Sequence, residues 1–169
     1  MSDDTARPHD PKESRARGGG HCVVLGASIA GLFAARVLSG TFDRVTVVDR
    51  DVLPESDENR RGVPQGRHAH AILPAGTRGL QEMFPGLLEE FEDAGAPVVR
   101  EPTEMHFAPG GHLLCQEGRY ADPTPTYQPT RPQLERHVRC RVRELPGVEI
   151  VDGCEASGLL STPDGTCVT

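Results

Sequence analysis

The chain has 169 residues, a formal net charge of −7 at pH 7 and a pI of about 5.5. This length is enough for one domain with its own core, and the acidic balance argues against a nucleic-acid partner or an anionic membrane surface. No apolar run is long enough to span a bilayer and no secretion signal is visible, which predicts a cytoplasmic protein without stable membrane insertion. Five cysteines without CxxC spacing indicate reduced thiols rather than a disulfide framework or a zinc site.

Two segments differ sharply in composition. Residues 1–20 are polar and lack periodicity, which predicts a disordered leader. Residues 21–169 form the predicted ordered part, which begins at residues 21–50 with HCVVLGASIAGLFAARVLSGTFDRVTVVDR. This stretch combines an apolar strand, a turn of small residues, an apolar helix and a second strand that ends in an acid. Such an order predicts a Rossmann-like α/β domain with a dinucleotide-binding βαβ unit.

Three residues of this unit have separate physical roles. Gly26 permits a sharp turn out of the first strand, where a side chain would force unfavourable backbone angles. Gly31 lets the helix lie close against that strand. Asp49 ends the second strand, where its carboxylate can accept hydrogen bonds from a ribose diol. A strand–turn–helix unit that binds no ligand is the alternative interpretation.

The start of the helix predicts an anion site. Its first amides have no partner within the helix, and the helix dipole is positive there, so a pyrophosphate would be favoured beside Ser28, Ile29 and Ala30. Ser28 stands where the usual pattern has its second glycine. It is small enough for close approach, and its hydroxyl could add a contact.

A long loop over residues 50–71 follows the second strand, and a loop of this length is uncommon unless it is functional or mobile. Its acidic first half is predicted to be solvated. In its basic second half, Arg61 or Arg67 could contact phosphate, although a solvated basic loop is the alternative. His68 and His70 have a spacing that two metal ligands could use, but no carboxylate or cysteine accompanies them, so no metal site is predicted.

The middle of the chain alternates short elements. Helices are predicted from Pro74 to Phe84 and over residues 87–94, and a short strand over residues 97–99. Residues 105–107 and 112–115, joined through Pro-Gly-Gly, predict an inserted β-hairpin.

The last predicted helix begins at Thr130, with Gln133 as its capping-box partner. An apolar stripe faces inward, and the charged residues are predicted to face solvent, namely Glu135, Arg136, Arg139, Arg141 and Arg143. Arg131 lies in the first turn, where its charge opposes the helix dipole. It is therefore a candidate phosphate contact, with a plain surface arginine as the alternative.

Two strand segments and a turn complete the prediction. The strands are expected over residues 148–151 and 156–160, and the turn over residues 162–166. The final residues, 167–169, read as the start of another strand.

A family resemblance rests on five segments taken in order. They are GASIAGLFAARVL, VTVVDRD, RRGVPQGRHAHAIL, FPGLLEEFEDAGAP, and RPQLERHVRCRV followed by PGVEIVDGCEASGL. Together they resemble the N-terminal part of FAD-dependent monooxygenases of the aromatic hydroxylase and epoxidase superfamily, with a likeness to bacterial squalene-epoxidase-like and polyketide-tailoring epoxidases. The resemblance covers about residues 21–160.

The resemblance implies an FAD site. The turn would lie under the pyrophosphate, with amides from the start of the helix, and Asp49 would hold the adenosine ribose beside Arg50. Arg61 and Gln65 would approach the flavin or its phosphates, and Arg131 the ribityl-phosphate region. The backbone of residues 154–156 would contact the adenine. The implied cofactor-binding set is Gly26, Ser28, Ile29, Ala30, Gly31, Asp49, Arg50, Arg61, Gln65, Arg131, Glu155 and Ala156.

The implied reaction is oxygen transfer. Reduced by NAD(P)H, FAD would use O₂ to hydroxylate or epoxidise a small organic substrate, with the protein supplying binding and orientation. The resemblance implies no catalytic side chain here, because the flavin itself would do this chemistry. The family's later Gly-Asp motif and substrate-covering sheet do not occur in these residues. The chain is therefore expected to be an incomplete domain. The alternatives are another FAD-dependent oxidoreductase, such as an isoprenoid reductase or dehydrogenase, and a truncated nucleotide-binding remnant without turnover. The sequence does not indicate an oligomeric state.

Overall fold

A computed structural model describes residues 19–166. Of the predicted leader, only Gly19 and Gly20 fall in this range, and the strand expected at residues 167–169 lies outside it. The described helices and strands are β1 (His21–Leu25), α1 (Ile29–Leu38), β2 (Arg44–Val48), α2 (Pro74–Met83), α3 (Leu87–Asp93), β3 (Val98–Val99), β4 (Thr126–Tyr127), α4 (Arg131–Arg143) and β5 (Val148–Val151).

A parallel three-stranded sheet forms the centre of the fold, with the order β1-β2-β5. Cys22 pairs with Val45 and Val45 with Val148, so β2 lies in the middle. Its Val45 and Val47 are fully buried, as expected for a parallel strand rich in β-branched residues. The predicted mixed α/β fold with a βαβ unit is therefore observed.

Helices α1 and α4 pack together beside the sheet, and their apolar faces form the core. Leu32 of α1 and Val138 and Val142 of α4 are fully buried, and Phe91 of α3 extends the same cluster. Phe91 also meets the His137 ring edge-on, with centroids 5.3 Å apart. The apolar periodicity of the sequence placed these residues correctly.

The predicted inserted hairpin is wrong. Residues 105–107 and 112–115 form no strands, and one backbone bond, from Leu114 N–H to the Phe107 carbonyl (3.0 Å), joins them. Phe107 and Leu114 are about half exposed, so no buried face stabilises a ladder. The antiparallel pair present instead joins β3, which confirms the short strand predicted over residues 97–99, to β4, where no element was predicted.

The strand expected over residues 156–160 is also absent. Leu159 and Leu160 are exposed to 76% and 75%, and the segment pairs with no described strand. An apolar stretch gains nothing from extended pairing unless a neighbouring strand accepts its hydrogen bonds. The turn predicted at residues 162–166 is confirmed, since Gly165 N–H donates to the Thr162 carbonyl (2.8 Å).

The start of α4 agrees only partly with the predicted capping box. Thr130 is the N-cap, and its hydroxyl accepts from Gln133 N–H (3.2 Å). The Gln133 side chain donates to the Ala94 carbonyl instead of returning to the N-cap. It therefore ties α4 to the end of α3.

The charged face of α4 is exposed only in part: Arg143 is exposed as predicted, whereas Glu135 and Arg139 are buried. Glu135 and Arg139 are 3% and 2% exposed because the loop after β2 packs over this face. Arg139 donates to the Pro54 carbonyl, and Glu55 forms an ion pair with Arg143 (2.9 Å). The acidic half of that loop thus contacts α4, while residues 55–59 are exposed to solvent as predicted.

Candidate functional site: a cleft at the start of α1

A cleft of about 380 Å³ opens at the carboxyl ends of β1 and β2. This is the edge of a parallel sheet where ligands of open α/β folds bind. Its walls include six residues of the predicted cofactor set, which are Gly26, Ser28, Asp49, Arg50, Glu155 and Ala156. The structure therefore places in one cleft six predicted residues that are far apart along the chain.

Two glycines set the shape of the turn. Gly26 has a φ of +98°, a conformation that side-chain-bearing residues rarely adopt. A Cβ atom on Gly31 would lie 1.8 Å from the Gly26 carbonyl oxygen. Only a glycine at position 31 lets α1 approach the end of β1 this closely.

The start of α1 points a positive dipole end toward this region. Ser28 is the N-cap, and Leu32 N–H is the first amide to donate back, to the Ser28 carbonyl (2.9 Å). The amides of Ile29, Ala30 and Gly31 precede that bond and have no acceptor one turn earlier. They can therefore donate to an anion.

The Asp49 carboxylate is buried and heavily used within the protein. Its Oδ2 accepts from Ala27 N–H (2.6 Å), and its Oδ1 from Asp51 N–H (2.9 Å). These bonds link the end of β2 to the turn after β1. A carboxylate has about four acceptor positions, and Arg60 Nη1 also approaches both oxygens (3.3 and 3.2 Å), so a further donor would compete with Arg60 for them.

Arg60 is the residue that the sequence prediction missed. Its Nη1 donates to Asp49 (3.2 Å) and Asp51 (3.1 Å), and its Nε to Glu135 (3.1 Å). Burial lowers the pKa of Arg60, but the charges of Glu135 and Asp49 outweigh burial and leave that pKa above its ordinary value. Arg60 therefore stays a cation in the wall of the cleft. The family resemblance implied a cofactor contact for the neighbouring Arg61, and the sequence alone does not distinguish two adjacent arginines.

Arg131 of α4 lies in a small pocket beside the cleft, which it shares with Arg60 and Glu135, and it contacts the cleft residue Ser28. Its Nη2 donates to the Ser28 hydroxyl (3.1 Å), and its Nε to Glu135 (2.9 Å). The Ser28 hydroxyl in turn donates to Glu135 (2.8 Å). The cation that opposes the dipole of α4 is thus placed beside the start of α1.

Residues 154–156 form the far wall. Cys154 N–H donates to the Asp49 carbonyl (2.9 Å), which holds this segment beside the end of β2. Arg50, Glu155 and Ala156 are exposed in the cleft.

Two predicted residues lie away from this cleft. Arg61 and Gln65 are exposed in or beside a short 3₁₀ helix, Pro64–Arg67. Arg61 lines a separate depression of about 430 Å³, which it shares with Arg60 and Arg67. The structure therefore does not bring Arg61 or Gln65 to the cleft at the start of α1.

The two histidines of the same loop have a local arrangement. His70 Nδ1 lies 2.9 Å from the His68 carbonyl oxygen. Within residues 19–166, no group of three or more histidine, cysteine, aspartate or glutamate side chains is placed to hold a metal ion.

A second cleft, of about 480 Å³, is almost entirely apolar. It lies between the start of α2 and the β3–β4 pair, and its walls include Leu73, Val99, Met105, Phe107 and Tyr120. Gln128 and Asp122 add polar groups to this lining. It can accept an uncharged organic group.

The main cleft fits the diphosphate and ribose of a dinucleotide. Glycines allow close approach, Arg50 and Arg60 line the cleft, and the Asp49 carboxylate lies at the end of β2. Arg131 adds a cation that contacts Ser28 at the start of α1. Because Arg60 contacts Asp49, a ribose there would share this carboxylate with Arg60.

Comparison with known proteins supplies two curated relatives, while no family model matches the chain. Protein Rv3254 of Mycobacterium tuberculosis (strain ATCC 25618 / H37Rv) is 42% identical over 148 residues, which are 87% of this chain and 30% of that protein. All-trans-zeta-carotene desaturase of Myxococcus xanthus is 32% identical over 102 residues, which are 55% of this chain and 18% of that protein. The chain thus spans less than a third of the length of either relative.

Solved structures share the fold. The probable FAD-dependent monooxygenase PqsL from Pseudomonas aeruginosa matches with a TM-score of 0.60 and 21% identity, over 88% of this chain and 37% of that one. The p-nitrophenol 4-monooxygenase PnpA from Pseudomonas putida DLL-E4 has a TM-score of 0.58 and 20% identity, over 90% and 38%. The Diels-Alderase PyrE3 has a TM-score of 0.58 and 27% identity, over 88% and 28%. The described fold is therefore an α/β fold found in FAD-dependent monooxygenases, although proteins with other activities also have it.

None of the helices within residues 19–166 has the length and apolar character needed to cross a membrane.

Proposed function

We propose that this chain is the FAD-binding part of a flavin-dependent monooxygenase. The observation that carries the proposal is the cleft at the start of α1, with Asp49 and two arginines, in a fold that solved FAD-dependent monooxygenases share. The whole protein would use NAD(P)H and O₂ to hydroxylate or epoxidise a small organic substrate. Oxygen transfer is the chemistry that FAD supplies when bound.

The residues of this chain would bind and orient the cofactor. The amides of Ile29–Gly31 would donate to the pyrophosphate, and Arg131 would balance its charge. Asp49 would accept from the adenosine ribose, while Arg50 and residues 154–156 would flank the adenine. The depression beside Arg61 and Gln65 would receive a more distant part of the cofactor only after rearrangement of the loop.

The apolar cleft would face the organic substrate. Its lining of Val99, Met105 and Phe107 favours an uncharged ring or alkene over a charged metabolite. Burial of such a group needs few polar contacts.

A second candidate is an FAD-dependent oxidoreductase that acts on isoprenoids. The observation that favours it is the 32% identity to a protein named as a carotene desaturase. It would use the same FAD contacts, and it differs from the first candidate in whether oxygen enters the product. A test is incubation of the full-length protein with NAD(P)H under ¹⁸O₂. Incorporation of label into the product supports the monooxygenase, and loss of hydrogen without label supports the desaturase.

FAD titration of the 169-residue chain tests the shared part of both proposals. Flavin fluorescence should change saturably, with a tighter dissociation constant than for NAD. Asp49→Asn is nearly isosteric and should weaken FAD at least about tenfold, because an amide accepts fewer donors than a carboxylate. Asp93→Asn, at an exposed position on α3, is the matched control and should bind like the wild type. Equal affinity for FAD and NAD, or no effect of Asp49→Asn, would contradict the assignment.

A further inference from the structure

Glu135 is a buried carboxylate that contacts three groups around the cleft. Its side chain is 4% exposed. Its Oε1 accepts from the Ser28 hydroxyl (2.8 Å) and Arg131 Nε (2.9 Å), and its Oε2 from Arg60 Nε (3.1 Å). A single side chain of α4 thus connects the start of α1 with both arginines.

Most outer nitrogens of the two guanidinium groups are already used, because Arg60 Nη1 donates to Asp49 and Asp51 and Arg131 Nη2 donates to the Ser28 hydroxyl. Glu135 uses the Nε edge of each arginine. The Arg60 side chain is only 7% exposed. Its Nη2 is buried and has no hydrogen-bond partner within residues 19–166. A buried cationic N–H without an acceptor is costly. The unpaired Nη2 of Arg60 is therefore an independent sign that an anion binds beside this nitrogen.

We propose that Glu135 is a positioning residue for the pyrophosphate of the cofactor. It acts through Arg60, Arg131 and the Ser28 hydroxyl, which it holds in one arrangement before the ligand arrives. This inference rests on the proposed FAD-binding function and goes beyond it, because it assigns Glu135 a role that it exerts only through its protein neighbours. It also gives a role to Ser28, which stands where the usual turn has a glycine: its hydroxyl links the turn to α4.

The physical reason is preorganisation. A free arginine side chain loses much of its rotamer entropy when it is fixed. Arginines already held at their Nε edge do not lose that freedom again on binding. The single negative charge of Glu135 also offsets part of the repulsion between two guanidinium groups.

Glu135→Gln separates this role from a general structural one. Glutamine keeps the size of the side chain but places an NH₂ group against a cationic donor. Arg60 would then keep only its bonds to Asp49 and Asp51, or Arg131 only its bond to Ser28. The affinity for ADP, which carries a diphosphate, should fall on the order of tenfold or more. The affinity for adenosine, which carries none, should stay within about twofold because Asp49 is retained. NMR chemical-shift titration measures both, and thermal unfolding verifies the fold.

Two further variants complete the experiment. Glu144→Gln removes an exposed carboxylate at the other end of α4 and should leave both affinities unchanged. Glu135→Asp keeps the charge but shortens the reach, so its ADP affinity should lie between those of wild type and Glu135→Gln. It also provides the measurement if the glutamine variant does not fold.

The outcomes distinguish this proposal from the function on which it rests. A selective loss of ADP affinity supports the positioning role. Equal losses for ADP and adenosine, or unchanged ADP affinity in both Glu135 variants, would overturn it while leaving FAD binding intact. A wild-type chain that binds neither FAD nor ADP would overturn the proposed function together with this inference.

Discussion

Gly31→Ala tests whether the close contact between α1 and β1 is what shapes the cleft. The new Cβ atom would lie 1.8 Å from the Gly26 carbonyl oxygen and 2.9 Å from its carbon. Both atoms belong to the backbone, so no side chain can rotate away. The start of α1 would have to move by roughly 1 Å, in an interior that is packed as densely as an organic crystal.

The expected loss in the free energy of unfolding lies at the upper end of the range for overpacking substitutions. Such substitutions destabilise by about 1–3 kcal/mol, and the gain in helix propensity from glycine to alanine recovers less than about 1 kcal/mol. We therefore expect a net loss of about 2–3 kcal/mol in the free energy of unfolding. For a chain of this size, that corresponds to a drop of about 4–12 °C in Tm. FAD affinity should fall as well, because the helix amides move with α1.

Gly79→Ala is the matched control. Gly79 lies inside α2, and a Cβ atom there meets nothing within 4 Å. The same substitution should therefore stabilise the protein, by about 0.5–1 kcal/mol. Urea unfolding followed by circular dichroism measures both variants. If Gly31→Ala is as stable as Gly79→Ala, the argument from close approach is refuted.

Two other predictions concern charged side chains outside the cleft. The pKa of Asp122 is lowered to about 2 by the Thr124 hydroxyl and amide and by Arg78. The stability that this carboxylate contributes is therefore present above its ordinary pKa and is lost as the pH falls toward 2. Asp122→Asn should show a smaller drop in Tm between pH 4 and pH 2 than the wild type, and an identical drop would count against these contacts. Burial lowers the pKa of Arg139, whose side chain donates to the Pro54 carbonyl. Arg139→Met should change the free energy of unfolding by less than about 1 kcal/mol, because the desolvated charge and its hydrogen bond disappear together. Arg139→Ala leaves a cavity as well and should lower the free energy of unfolding by about 2–5 kcal/mol. Equal losses for the two variants in urea unfolding would contradict this reasoning.

The sequence predicted the βαβ unit well because local patterns determine it. An apolar strand, a positive-φ glycine and a second strand ending in Asp49 appear within 30 residues. The N-cap at Thr130 was equally local. Since both features depend on short-range chemistry, periodicity and capping rules were sufficient.

The failed strand predictions depended on partners that local patterns do not contain. Residues 112–115 and 156–160 have apolar side chains in a suitable order, but a strand also needs a neighbour to accept its hydrogen bonds. Leu114 and Leu159 are exposed in the structure, which shows that neither segment buries a face within residues 19–166. Apolar composition alone therefore overestimated the extent of the sheet.

The candidate site was incomplete for a related reason. Periodicity assigns charged residues of α4 to solvent, yet Glu135 and Arg139 are buried because the loop after β2 covers them. The loop supplies what burial of charge requires, namely Arg60 for Glu135 and the Pro54 carbonyl for Arg139. These partners are 75 and 85 residues away along the chain. A buried charge can be predicted only together with its partner. The role of Arg60 in the wall of the cleft therefore follows only from the contact between the loop and α4 in the structure.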